Sequence, residues 1–418
     1  MNENELRSLE EKLNKKGIYD VRQIARALNV HSEFPQKPKI IEAIIGYARG
    51  EVAPKPHSLR GAPPKSYEHD SELVAEIELL RKSAEDNSVG VSDGSDETSR
   101  SAEGVLYADG RLRTAEGGAD VSPSLFTRYG LRTGDVIKGS VLAGNDGKSA
   151  TLFKIISING LAADGASARR NFSSLTHVYP DKFMPISRAN GDILCREIDF
   201  FCPLGFGERA FVTGADNSAC LEALKSVARG ICAGFGGVEV VILLVNARPE
   251  DATYFSRAFG GAMIFASTFD KPEGYARVTA VTAFEYAKRV LEQGKDAVVL
   301  ADGLFGGQIE KEALKKMLYS ACNAEEGGSL TVLSTIADDC PYLAEMLAVA
   351  GAVARVSENR KTLDVKRSRS DRAGEYLGSD GLSAAENLRA NYSGGEIESA
   401  FAAYADNAQI TEKYKNGR

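Results

Sequence analysis

The stretch Phe200-Phe-Cys-Pro-Leu-Gly-Phe-Gly-Glu-Arg-Ala-Phe-Val-Thr-Gly-Ala-Asp-Asn-Ser-Ala-Cys-Leu-Glu222 decides how this chain is read. Gly205 and Gly207 make a turn, Ala210–Thr213 reads as a short apolar strand, and Leu221–Ile231 reads as a helix after an intervening loop. A strand running through a loop into a helix N-terminus is the layout that holds nucleotide phosphates. The first backbone N–H groups of a helix have no intrahelical acceptor and point at a bound anion. The working version also needs glycines for close backbone approach, a Lys for the phosphates and a Ser or Thr for magnesium. Here the loop is Gly214-Ala-Asp-Asn-Ser-Ala-Cys-Leu221, with one Gly, no Lys and an Asp. The frame of a phosphate-binding loop is present and its chemistry is replaced.

Downstream, strands and helices alternate. Val238–Val245 is a continuous apolar run suited to a parallel strand buried on both faces. Met263–Ser267, Asp296–Leu300 and Ser329–Ser334 read as further strands, with helices over Val278–Gln293 and Gln308–Ala321 between them and more at Ala384–Ala390 and Glu396–Ala405. This alternation predicts a doubly wound α/β domain over residues 165–418.

Upstream, residues 103–160 change character. Gly104–Tyr107, Leu112–Thr114, Asp135–Val141 and Thr151–Ile158 are short strands rich in β-branched residues, separated by turn signals at Asp109-Gly110, Thr133-Gly134 and Asn145-Asp146-Gly147. They predict a small barrel of the OB type. Residues 51–102 form a linker, with a proline-rich run at Ala53–Lys65, a short helix within Ser71–Asp86 carrying Leu73, Val74, Ile77 and Leu80 on one face, and a Ser/Asp/Gly-rich stretch at Asn87–Ala102. Residues 1–50 read as a helical module, with Leu6, Leu9 and Leu13, then Val21, Ile24, Ala25 and Leu28, then Ile40, Ile41, Ile44 and Ile45 at helical spacing. Gly17 and the Phe34-Pro35 to Pro38 segment break those helices. The expected class is therefore multidomain α/β.

Composition narrows the function. Across 418 residues the formal net charge is −7, which argues against a chain built wholly around nucleic-acid binding and leaves room for a local groove. The Met1–Leu9 start is charged and polar and no apolar run approaches a membrane span, so the expectation is a cytoplasmic protein without a membrane partner. The six cysteines form no C-x-x-C pair and the four histidines lie apart from them, so no metal site is expected and the thiols read as reduced.

The order of helical module, barrel and α/β domain resembles the bacterial transcription termination factor Rho family. The resemblance rests on Val121-Ser-Pro-Ser to Leu131-Arg-Thr-Gly-Asp135, Asn171-Phe to Leu175-Thr, Arg248-Pro-Glu250, Ala266-Ser-Thr-Phe-Asp270-Lys-Pro272 and Ala324-Glu-Glu-Gly-Gly-Ser-Leu330, all in family order. It implies a cold-shock-type RNA-binding barrel before a RecA-like, hexamer-forming motor that uses ATP and Mg2+. It also places the family's Gly-Lys-Thr on Ala219, Cys220 and Leu221, and its Asp-Glu pair on Asn246 and Ala247. A Cys cannot stand in for an ammonium beside phosphates, a Leu cannot ligate magnesium and an Ala cannot orient a water. No catalytic residue is therefore assigned. Asp302 keeps the second acidic position, the chain then passes quickly through Gly303-Leu-Phe-Gly-Gly307, and Arg372 aligns with the family's arginine finger. Gly205, Gly207, Arg209, Arg248, Asp302 and Arg372 are the remaining nucleotide-pocket candidates.

The barrel has lost its rings at the family's base-stacking positions. The strand after Asp109-Gly110 is Arg111-Leu-Arg-Thr114, and two further aromatic positions fall on Asp120 and Ser149. Arg111 and Arg113 are left as RNA-backbone candidates or as exposed strand residues. Three readings stay open at this point: an active ATP-driven RNA translocase, a pseudoenzyme or regulatory scaffold, and a nucleotide sensor. The partners these imply are RNA, further copies of the chain, an authentic Rho, or RNA polymerase.

Overall fold

The computed structural model describes residues 3–28, 30, 36–48, 70, 73–74, 76–78, 99–142, 149–189, 191–357 and 362–416. The chain divides into two compact units, Met1–Glu97 and Thr98–Arg418. In the first, α1 (Glu3–Lys15), α2 (Ile18–Ala27) and α3 (Lys37–Ala48) turn Leu9, Leu13, Val21, Ile24, Ile40, Ile41 and Ile44 into one core, which Leu73 and Ile77 complete. The side chain of Leu6, the Phe34-Pro35 break, the proline-rich run, the later part of the Ser71–Asp86 helix and the segment from Asn87 to residue 98 lie outside the described residues.

The second unit begins with a closed barrel. β1 (Ser99–Leu106), β2 (Arg111–Thr114), β3 (Gly117–Val121), β4 (Val136–Leu142), β5 (Ala150–Ile158) and β6 (Leu161–Ala162) run in the order β3-β2-β1-β4-β5-β6, and β3 pairs with β5 to close the ring. Leu106, Leu112, Ala119, Ile137, Val141, Leu152, Ile155 and Ile158 fill it. β3 carries two glycines and reads locally as a turn; pairing with Leu112 on one side and Ala150 on the other makes it a strand. The Val121-Ser-Pro-Ser segment opens a helix, α4 (Pro123–Tyr129), because Ser122 caps the Ser124 N–H, Pro123 sits at the first helical position and Gly130 ends the helix in the left-handed region. The Asn145-Asp146-Gly147 turn lies outside the described residues.

Beyond the barrel lies a mainly parallel sheet. Its strands are β7 (His177–Val178), β8 (Arg209–Gly214), β9 (Glu239–Ala247), β10 (Met263–Thr268), β11 (Asp296–Asp302), β12 (Cys322–Ala324), β13 (Ser329–Ala337), β14 (Ala352–Arg355) and β15 (Arg369–Ser370). The order is β10-β9-β11-β13-β8-β14-β15, parallel as far as β14, with β12 and β7 adding antiparallel pairings beside β13. The helices are α5 (Ile193–Phe201), α6 (Asn217–Gly234), α7 (Pro249–Ala258), α8 (Tyr275–Glu292), α9 (Lys311–Leu318), α10 (Leu343–Ala348), α11 (Ala373–Asn391), α12 (Gly394–Ala403) and α13 (Asn407–Tyr414). Residues of β9 alternate between two cores. Val240, Ile242 and Leu244 pack in the layer holding α5, α6 and the C-terminal helices, while Val241, Leu243 and Val245 pack in the layer holding α8 and α9. Burial on both faces is why this strand is apolar at nearly every position. Among the described residues no helix is long and apolar enough to cross a membrane.

Several carboxylates are trapped inside the second unit. Glu197 accepts the Leu363 N–H at 2.7 Å, Asp199 accepts Ile186 and Ser187 N–H at 3.0 and 2.8 Å, and Glu208 accepts Gly205 N–H at 2.8 Å. Burial outweighs those bonds and pushes Glu197 up to about 8, Asp199 to about 6 and Glu208 to about 7. A carboxyl whose folded value lies above its unfolded one binds more protons when folded. Its stabilisation is complete below the unfolded value and is lost as pH rises through the folded one. Folding stability is therefore expected to fall between about pH 5 and pH 8, by on the order of several kcal/mol across these groups. Denaturant titrations at the two pH values check this; equal stability, or a gain at pH 8, contradicts it.

Candidate functional site

Strand β8 ends at Gly214, and α6 starts at Asn217 with Asp216 as its cap. The Asp216 carboxylate accepts the Ala219 N–H at 2.8 Å. That N–H is among the donors a phosphate would use at a helix start, so the chain places an anion of its own there. Behind the loop Cys220 is fully buried, and a Cβ built on Gly214 would lie 3.2 Å from its Sγ. Burial, followed by the charges of Asp302, Asp338 and Asp216, pushes the thiol up to about 12, so it is neutral at physiological pH. Leu221 packs against the core beside it. At the end of β9, Asn246 has φ 53° and drops out of register with β10, while Ala247 is buried. Asn tolerates that left-handed backbone better than most residues.

Asp302 ends β11, two strands from β8. It accepts the Thr335 hydroxyl at 2.6 Å, and burial pushes it up to about 6 against the lowering effect of that bond. Two cations at this edge are paired. Lys225 contacts Glu222 at 2.8 Å and Asp251 at 3.3 Å, and Arg355 makes a two-pronged pair with Asp338. Asp338 also donates its N–H to the Gly214 carbonyl at 3.0 Å, which fixes the loop from the β13 side. An ATP–Mg2+ complex does not fit these residues. The helix start carries the Asp216 carboxylate, Cys220 behind it is a buried neutral thiol, Leu221 packs against the core, and Lys225 and Arg355 are spent on carboxylates. Among the described residues no group of three or more His, Cys, Asp or Glu side chains is placed to hold a metal ion.

The remaining nucleotide-pocket candidates do not come together. Asp302 and Arg248 stand at the C-terminal ends of the parallel strands, with Arg248 exposed as the cap of α7. Arg209 begins β8, so its Cα lies about 17 Å from Gly214 along a strand. Gly207, Arg209 and Arg372 line a cleft at that other end, and Gly205 packs beside it against Tyr376. On the barrel, Arg111 pairs with Asp120 at 3.0 Å and donates to Ser149 Oγ at 2.7 Å. Arg113 pairs with Asp109 at 2.7 Å, donates to the Tyr275 hydroxyl, and lies over the Tyr107 and Tyr275 rings at 3.9 and 4.6 Å. Both arginines are thus engaged within the chain, and Arg113 joins the barrel to the start of α8.

No family model matches the chain. Curated relatives do. The chain is 33% identical over 242 residues to transcription termination factor Rho of Mycobacterium leprae, covering 51% of this chain and 40% of that protein. It is 34% identical over 254 residues to the Rho factor of Borreliella burgdorferi, covering 54% and 49%. With the Rho factor of Pseudomonas aeruginosa it shares 31% identity over 282 residues, covering 62% of this chain and 67% of that one. The chain belongs to the Rho family. Against the first of these relatives this Rho-family chain spans under half the length. Among solved structures, an ATPase of the type III secretion system of pathogenic bacteria shares 19% identity at a TM-score of 0.43, covering 53% of this chain and 72% of that chain.

Sequence reasoning alone passed over Thr335, Asp338, Arg355 and Lys225, the residues that bind up this edge of the Rho-family chain. Thr335 and Arg355 sit in strands and carry no local signal; their partners are set by strand order. Asp216 did carry a signal, an Asp just before a helix, which marks it as a cap as well as a charge.

Proposed function

We propose that this member of the Rho family is a non-hydrolysing one: a cold-shock-type barrel and a RecA-like domain retained as a scaffold in transcription, with nucleotide turnover lost. The reading is carried by one observation, the Asp216 carboxylate seated on the Ala219 N–H where a phosphate would bind. Cys220, Leu221 and Ala247 support it, because none supplies a charge, a metal ligand or a base. An arginine finger alone is worth roughly 10³–10⁵ in rate in related chemistry, so the combined loss removes the reaction rather than slowing it. RNA contact through the barrel is weak in this reading, because Arg111 and Arg113 are already paired and the stacking rings, worth roughly 1–3 kcal/mol per base, are absent. Its partners are further copies of the chain, an intact Rho, or RNA polymerase.

One residue favours the motor instead. Asp302 keeps its acidic side chain at the end of β11. A phosphate-release assay with purified protein, RNA, magnesium and ATP separates the two readings. Release at the background rate is expected. Turnover that disappears in Asp302→Asn restores the ATP-driven translocase.

A further inference from the structure

At the end of β8 away from the loop, a cleft of about 670 Å³ opens beside β7, the turn before β8 and the start of α11. That volume lies within the range of small-molecule sites. Two arginine–tyrosine stacks flank it. Arg209 lies 4.8 Å from the centre of the Tyr319 ring, and Arg372 lies 5.0 Å from the centre of the Tyr179 ring. Tyr319 is 52% exposed and Tyr179 80% exposed, so both rings present surface to the cleft mouth.

The charges of the cleft leave one cation over. Asp371 is taken by Arg369, and Glu375 by Arg372 at 2.6 Å. Glu208 is buried behind the Gly205 N–H and the Tyr376 hydroxyl. Arg209 makes no ion pair among the described residues. Its Nε and Nη1 donate to the Leu318 and Val349 carbonyls at 2.8 and 2.9 Å, which ties the ends of α9 and α10 and fixes the plane of the guanidinium. Its Nη2 has no acceptor among the described residues. A guanidinium held in place with an unspent N–H edge is a ready donor to a phosphate oxygen.

We propose that this cleft binds a nucleoside phosphate, with Arg209 on the phosphate and the exposed tyrosine rings against the base. The proposal stands apart from the loss of turnover at the other end of the sheet. It is tested by calorimetric titration of the full chain with ADP in EDTA, so that no magnesium-dependent site contributes. Saturable binding is expected, weakened at least tenfold in Tyr179→Ala and in Tyr319→Ala. Arg209→Lys keeps a donor for the helix-end carbonyls and is expected to weaken binding by a similar factor. Adenosine and inorganic phosphate, each offering half of the ligand, are expected to bind at least tenfold less tightly than ADP. The proposal fails if ADP gives no binding at millimolar concentration, or if the cleft variants bind as the parent does. It also fails if Asp302→Asn abolishes binding and the cleft variants do not. Variants that change only the sedimentation of the chain would assign the cleft to contact between copies and overturn it.

Discussion

Restoring the family residues at the loop, by Ala219→Gly, Cys220→Lys, Leu221→Thr and Ala247→Glu together, is expected to leave ATP hydrolysis at background. Adding Asp216→Gly is expected to raise it at least a hundredfold. The four changes return a cation, a metal ligand and a base, but they leave the Asp216 carboxylate on the Ala219 N–H. A phosphate group arriving at that helix start meets an N–H already accepted and a like charge a few ångströms away. At about 5 Å and an effective dielectric near 20, each pair of unit charges costs about 3 kcal/mol, roughly a factor of a hundred in occupancy. Removing the carboxylate is cheap for the fold, because Gly in place of a capping Asp costs only a few tenths of a kcal/mol. A phosphate-release assay on the two variants decides the matter. Equal turnover in both means Asp216 is a plain helix cap. Silence in both moves the block to the short Gly303–Gly307 segment or to assembly.

The chain's α/β alternation was legible because its strands are buried on both faces and its helices are long. The parallel pairing of β9 with β11 follows from those apolar runs. The elements that escaped are instructive. α5 is buried on nearly all sides, so it shows no polar stripe to give a helical period, although Asp192 caps its first turn by accepting the Leu194 N–H at 3.1 Å. β3 has no intrinsic strand preference and exists by pairing. At the site, residues 220, 221 and 247 were readable one at a time, because what a Cys, Leu or Ala cannot do is a property of the side chain. That the pocket candidates divide between opposite ends of β8 was not readable, because it depends on which way a strand runs and how long it is. Arg113 shows the same limit. Its partners Tyr107 and Asp109 are local, but Tyr275 arrives from far along the chain.

Glu292→Ala is expected to destabilise the second unit by about 3–5 kcal/mol, the usual loss when one member of a buried charge cluster is removed. Glu292 closes α8 with a side chain only 4% exposed. It accepts both Nη atoms of Arg132 from the barrel at 3.1 and 2.8 Å, and the Phe172 N–H from the connecting segment at 2.8 Å. Arg289, one turn earlier and itself buried, contacts it at 3.0 Å. The contact extends inward, because the Arg132 N–H donates to Asp135, which pairs with Arg169 at 2.7 Å. Gly134, between Arg132 and Asp135, has φ 84° and sits so close to α8 that a Cβ there would fall 2.3 Å from the Tyr286 nitrogen. The backbone contact and the ion cluster therefore hold the same seam between barrel and sheet. Deleting Glu292 removes the only carboxylate that the Arg132 guanidinium contacts among the described residues and leaves the buried Arg289 with Glu285 alone at 3.2 Å, whereas Glu292→Gln keeps acceptor and shape and should cost less. A double-mutant cycle with Arg132→Ala isolates the coupling, since Arg132 and Glu292 share partners and their losses should not add. Denaturant unfolding of the four proteins gives the numbers. A loss below about 1 kcal/mol for Glu292→Ala, the range of exposed pairs, would mean that water enters the seam and that barrel and sheet are held by the Gly134 contact and the Arg113–Tyr275 stack instead.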